Sequence, residues 1–273
     1  MKPIKKVAVL HSLCGVGKAS LTNMIPVLSV MGVEVCPIPT IVLSTHTGGY
    51  GAPARCPISR TYIQETAKHY RENGVTFDAI FIGYLGSEEM VSSVQYFIQQ
   101  FPNVPVILDP IFGDHGTFYQ NLGPTYAESF ERLLCKADVI LPNYTEGCIL
   151  ADSPYTVQPD GEELAGICKT LQQKGAKNIV MTSIPTGNEN KGIALCEGET
   201  VEMLTLPGVA GEFHGTGDVF DAVFVGAFLE GLPLKKCIEK AHTFVCECME
   251  RSIQLAYPKR EGLAIERCLS LLV

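Results

Sequence analysis

Nothing in the 273-residue chain approaches the roughly 20 consecutive apolar residues of a membrane span, so despite 46% hydrophobic content it reads as a soluble globular protein with no membrane role. It also lacks a basic block. Lys and Arg number 21 against 29 Asp and Glu, a net charge of −8, which argues against binding to the nucleic-acid backbone. No repeat, low-complexity tract or linker divides the chain, and the expectation is a single domain over 1–273. The 11 cysteines form no disulfide framework: their number is odd and they lie in apolar strand-like and helical segments, as packing thiols of a reducing cytoplasm do. Cys246 and Cys248 make a C-x-C with no second pair, which is not a zinc site. The start, MKPIKKVAVLHSL, has basic residues and a brief apolar run over 7–13, but His11 interrupts it and no small-x-small cleavage site follows. A first strand is expected there rather than a signal peptide.

The familiar phosphate loops are missing too. In HSLCGVGKAS, 11–20, the position five before Gly17 is Ser12, and Ala19 follows Lys18, so the first glycine and the magnesium-binding hydroxyl of a P-loop are both absent. Gly15 and Gly17 are followed by Ser20 where a dinucleotide fingerprint needs glycine or alanine. The stretch reads as a glycine turn after the first strand, with Lys18 an exposed first-turn residue.

What is present is an alternation of short β-rich runs and longer helical stretches, the pattern of an α/β fold with a mostly parallel central sheet. Strands are predicted at 7–10, 33–38, 79–84, 104–109, 138–142 and 178–183, and helices at 19–31, 58–73, 87–101, 124–135 and 160–174. An antiparallel pair, GIALCEG and TVEMLTLP, precedes helices at about 216–230 and 233–250 and a short final helix. Two glycine-rich loops, 44–57 and 112–125, are longer than connections require and suit binding or covering a ligand.

Ligands of open α/β sheets bind beyond the carboxyl ends of the strands. On the predicted strand order, Ser12, Tyr84, Asp109, Asn143, Glu146 and Thr182 face one crevice, although Asp and Asn are also common helix caps and Tyr is often core. The richest stretch is EFHGTGDVFDAVFVGAFLEG, 212–231. Gly215-Thr216-Gly217-Asp218 opens an apolar helix, where unpaired N–H groups and the helix dipole favour an anion. Asp218 fits either a general base taking a proton from an alcohol being phosphorylated or an ordinary acidic residue of a first helical turn.

These residues carry a family resemblance. Gly-Thr-Gly-Asp resembles the motif of the ribokinase superfamily, and LSTHTGGYG at 43–51, GYLGS at 83–87, DPIFGDHG at 109–116, PNYTEGCIL at 142–150 and HGTGDVF at 214–220 resemble its pyridoxal kinase branch over nearly the whole chain. The resemblance implies a three-layer α/β/α ribokinase-like sandwich. It also implies ATP-dependent phosphorylation of the 5′-hydroxymethyl group of a B6 vitamer, a small heteroaromatic alcohol. Asp218 would be the base, with the N–H groups of Gly215, Thr216 and Gly217 stabilising charge on the transferring phosphoryl group. Asp109, Asn143 and Glu146 would organise Mg2+ and the ATP phosphates, the metal being held by Asp109 and by Glu146 through water, with Thr182 nearby. Ser12, His46, Thr47 and Tyr84 would surround the pyridine ring. The same resemblance implies a monovalent cation (K+) beside the phosphates and a homodimer, and the scattered cysteines lead us to expect a cytoplasmic location.

The match is loosest at 11–14, where His11, Ser12 and Cys14 remain alternatives for ring contact. A hydroxymethylpyrimidine kinase shares the machinery, but its usual glycine-rich start and a cysteine near the catalytic loop are not seen. Sugar kinases generally carry a larger inserted β-lid than 44–57 provides. A non-catalytic nucleotide- or vitamer-binding protein of the same fold is the remaining alternative.

Overall fold

Strand β1 (Lys5–Val16) shows why the sheet is covered on both faces. Val7 and Val9 pack into one apolar core and Ala8 and Leu10 into the other, following the two-residue period of a pleated strand. The computed structural model describes residues 3–120, 122–187 and 190–273. After β1 come α1 (Leu21–Val30), β2 (Val33–Thr45), β3 (Arg55–Pro57), α2 (Arg60–Glu72), β4 (Ala79–Ile82), α3 (Glu88–Gln100) and β5 (Val106–Leu108). Then follow β6 (Gly113–Asp114), β7 (Thr117–Phe118), α4 (Pro124–Leu134), β8 (Val139–Ile140), α5 (Tyr144–Leu150), α6 (Gly161–Gln173) and β9 (Asn178–Ile184). The chain continues through β10 (Lys191–Glu197), β11 (Thr200–Leu206), α7 (Thr216–Leu229) and α8 (Leu234–Gln254), and finishes in short 3-10 turns.

The main sheet runs in the order β11-β10-β9-β8-β5-β4-β1-β2-β3. Pairings from β9 across to β2 are parallel, whereas β10, β11 and β3 add antiparallel edges. Helices α2 to α6 supply the core on one face, through residues such as Ile63, Phe97, Phe130, Tyr144 and Leu171. Helices α1, α7 and α8 supply the other, through Met24, Val223, Phe224 and Ile238. The result is the expected α/β/α sandwich around a mostly parallel sheet. It places the carboxyl ends of β1, β4, β5, β8 and β9 along one edge, the condition for a common crevice.

Three local differences from the sequence reading matter for that edge. Strand β1 does not stop at residue 10; it continues to Val16, pairing with β2 through a register shift between His11 and Leu13, and the turn is delayed to Gly17 at φ 77°. The polar run His11–Ser12 is therefore strand, buried between neighbours, rather than turn. The 112–125 loop contains the β6–β7 hairpin, and α5 is an additional seven-residue helix. Asn143 and Glu146 start α5 with a reciprocal capping box, each side chain accepting from the other's backbone N–H.

Candidate active site

Helix α7 opens in a conformation that only glycine tolerates well. Gly215 caps it at φ 76°, and a Cβ there would collide with the carbonyl oxygen of Lys18 and lie 2.6 Å from Asn23 Nδ2. Asn23 Nδ2 donates to the carbonyls of both Lys18 and Gly215 at 3.2 Å, tying the turn after β1 to the start of α7. Lys18 itself departs from the sequence reading. Its side chain is only 16% exposed, with Nζ 2.8 Å from Glu266 Oε2 and donating to the Tyr257 hydroxyl at 3.1 Å. It fastens the 3-10 turns near the carboxyl terminus to the site's first loop.

Asp218, in the first turn of α7, sits 2.9 Å through Oδ1 from Nε2 of the fully buried His11. Asp109 lies just beyond β5, beside the carboxyl of Asp221, one turn after Asp218. Burial first, then the nearby Asp218 charge, pushes the Asp109 carboxyl up to about 7. Burial also raises Asp221 well above the usual carboxylate range, with Asp109, Asp218 and Glu146 adding to it, and Asp221 Oδ2 has no hydrogen-bond partner. Glu146 is raised likewise, first by burial and then by Asp109, against three backbone donors. Its Oε1 accepts from Phe112 N–H at 3.0 Å and Gly113 N–H at 3.3 Å, and its Oε2 from Asn143 N–H at 2.9 Å. Asn143 Nδ2 donates to the Gly113 carbonyl at 2.7 Å, and Thr182, half-buried in β9, donates its N–H to the Pro142 carbonyl at 2.9 Å. Asp109, Asn143, Glu146 and Thr182 thus occupy adjacent strand ends, with four mutually interacting carboxylates in one crevice.

Toward β1 and β2 the crevice is apolar. Tyr84 packs on a nest of Cys14, Ala19, Ile41 and Leu43, and burial raises its hydroxyl above the ordinary range. Burial, and secondarily Asp218, pushes the Cys14 thiol up to about 11, so it is a packing thiol rather than a nucleophile. Ser12 is buried, its hydroxyl donating to Ser20 Oγ at 2.7 Å. His46 has both ring nitrogens engaged: Nδ1 accepts from Gly48 N–H at 3.0 Å and Nε2 donates to the Arg260 carbonyl at 2.5 Å. That histidine pins the loop bearing the exposed Thr47, and its ring lies 4.8 Å from that of His214 between centroids, tilted by 43°.

Residues 25–261 match the phosphomethylpyrimidine kinase family. The chain belongs to that family. It is 34% identical to a protein of Bacteroides thetaiotaomicron described as a phosphomethylpyrimidine kinase and crystallised in an orthorhombic form with pyridoxal; the two structures superpose over 99% of this chain and 96% of that one, with a TM-score of 0.92. The pyridoxal kinase of Lactobacillus plantarum is 31% identical, over 99% of this chain and 97% of that one, with a TM-score of 0.91. A Schizosaccharomyces pombe protein named as a pyridoxal kinase is 27% identical over 74% of this chain, and the match spans 62% of that protein's length.

Within this family member, sequence reasoning missed Asp221 and Asn23. Asp221 had a visible trace, since a lone acid three residues after Asp218 lies on the same helical face. Its position has a consequence for stability. Unfolded carboxyls ionise near 4, whereas Asp109 keeps its proton to about 7 in the fold, so the folded state binds more protons between these values. Stability of the metal-free protein is therefore lost as pH rises through that window. Asp221→Asn is expected to stabilise the metal-free chain at pH 8 by about 1–4 kcal/mol, with a much smaller gain at pH 4. Thermal melts of both proteins across pH check this; an equal gain at both pH values would contradict it.

Proposed function

We propose that this chain transfers the γ-phosphoryl group of ATP to the 5′-hydroxymethyl group of a B6 vitamer. The observation that carries the reading is the position of Asp218: in the first turn of α7, bonded by His11, and facing the strand ends that bear Tyr84 and Asp109. Relatives named as pyridoxal kinases support it, as does the relative crystallised with pyridoxal. The vitamer ring would lie on the apolar nest beside Tyr84, near Ser12, His46 and Thr47, with its hydroxymethyl group toward Asp218. Asp218 takes the alcohol proton as the oxygen attacks phosphorus, and the N–H groups of Gly215, Thr216 and Gly217 receive the charge of the transferring group. Asn143 and Thr182 would line the ATP phosphates.

Among the described residues no three ligand-bearing side chains form a metal cage. Magnesium needs none, because it is commonly held by one or two carboxylates together with substrate phosphates and water. Asp109 and the unpartnered Asp221 Oδ2 make the hard carboxyl oxygen set that such an ion favours, and the ion would draw off their protons. Asp109 would hold Mg2+, with Glu146 acting at one remove because backbone donors occupy its oxygens. The ion would neutralise charge on the ATP phosphates. A monovalent cation beside the phosphates, a homodimer and a cytoplasmic setting complete the proposal. Incubation with ATP, magnesium and pyridoxal is expected to yield pyridoxal 5′-phosphate and ADP in equal amounts, and EDTA in excess is expected to stop the reaction. ADP release without vitamer phosphate would sink the reading.

A further inference from the structure

His11 is the buried titratable group at the site to which the reaction scheme gives no task. Its ring is fixed from every side. Nδ1 faces two backbone donors, Ser12 N–H at 2.9 Å and Tyr84 N–H at 3.2 Å, so the ring proton sits on Nε2, which then donates to Asp218 Oδ1 at 2.9 Å. A proton on Nδ1 would meet both N–H groups head on. Gly83, just after β4, allows the ring to approach: a Cβ there would lie 2.6 Å from His11 Cδ2 and Nε2. Phe81 backs the ring at 6.0 Å between centroids. The backbone of β1 and β4 thus dictates the tautomer, and the tautomer dictates which oxygen of Asp218 is occupied.

We infer that His11 is a positioning residue: its Nε2–H holds Oδ1 of Asp218, leaving Oδ2 directed to the vitamer alcohol. In the step it serves, the alcohol O–H proton passes to Oδ2, the alcohol oxygen forms its bond to the γ-phosphorus, and the bond from that phosphorus to the β,γ-bridging oxygen breaks with release of ADP. Asp109, Asp221, Cys14 and Tyr119 also lie within electrostatic reach of Asp218. Donor and base are arranged as in a Ser-His-Asp triad with the roles exchanged, the carboxylate being the base and the imidazole its orienter.

The inference rests on the kinase reading, and the test separates the two. His11→Asn keeps an acceptor where Nδ1 stood but cannot reach Asp218, whereas His11→Gln keeps a donor where Nε2 stood but loses the acceptor. With ATP, magnesium and pyridoxal, His11→Asn is expected to lower kcat by about 10²-fold, with KM for pyridoxal within about threefold. His11→Gln should restore most of kcat. Gly83→Ala retains every polar group yet must displace the ring, and is expected to reproduce the loss of kcat at near-constant KM; it serves if His11→Asn does not fold by circular dichroism. Wild-type kcat in a folded His11→Asn, or in Gly83→Ala, would overturn the inference while leaving the kinase reading intact. An inactive wild type would overturn the reading itself.

Discussion

Asp218→Ala is expected to lower kcat for pyridoxal phosphorylation by about 10²–10⁴-fold, the usual contribution of a positioned general base, while ATP affinity stays within a few-fold. The split follows from where the side chain points. Asp218 engages His11 at 2.9 Å, and its other neighbours, Asp109 and Asp221, are carboxyl groups, so it has no cationic partner whose loss would disturb nucleotide binding. Its removal takes one negative charge from a crevice that must receive the ATP phosphates, which if anything favours nucleotide. Single-turnover kinetics together with calorimetric titration of ATP measure the two quantities separately. Parallel loss of turnover and ATP affinity would instead assign Asp218 to nucleotide binding.

Gly215→Ala is expected to damage both stability and rate. Alanine at φ 76° costs about 1–2 kcal/mol relative to glycine. The added Cβ also collides with the Lys18 carbonyl and presses on Asn23 Nδ2, an overpacking that costs about another 1–3 kcal/mol. Relief requires α7 to withdraw from the turn after β1, and that movement shifts the N–H groups of Thr216 and Gly217 away from the transferring phosphoryl group. A drop in kcat of about 10²-fold is expected, together with a melting temperature lower by roughly 2–4 °C per kcal/mol lost. A variant with wild-type stability and rate would show that neither the left-handed cap nor the close approach matters. By contrast, a Cβ at Gly217 meets nothing within 4 Å, so Gly217→Ala is expected to leave stability nearly unchanged and provides the control.

The layered fold was legible because apolar periodicity reports directly on burial. The unbroken apolar run at 7–10 marked a strand, which the fold covers on both faces, and the apolar body of 219–227 marked a helix, which is buried nearly all round. Asp109, Asn143, Glu146 and Thr182 could be brought together from strand order alone, since a parallel sheet aligns the ends of its strands. What escaped the sequence depends on partners distant in the chain. The continuation of β1 through His11 and Ser12 is enforced by β2, whose Pro39 and Val42 bracket the register shift. The anchoring of His46 depends on Arg260, 214 residues away, and that of Lys18 on Glu266 and Tyr257. Asn143 and Glu146 were recognisable as a site motif, but the same spacing is also a capping box, and this second meaning was the key to the short helix α5. Asp221 was hidden by its surroundings, a single acid within an apolar run.

The turnover numbers for pyridoxal, pyridoxine, pyridoxamine and hydroxymethylpyrimidine, measured side by side with ATP and magnesium, test the central claim most directly. The family takes its name from the pyrimidine, whereas the apolar nest beside Tyr84 and the relatives named as pyridoxal kinases point to the pyridine. At least one B6 vitamer is expected to show a kcat/KM at least about tenfold above the pyrimidine alcohol, a difference of about 1.4 kcal/mol in transition-state binding. Turnover confined to hydroxymethylpyrimidine would contradict the substrate assignment, and binding of a vitamer and ATP with no turnover of any alcohol would contradict the assignment as a kinase.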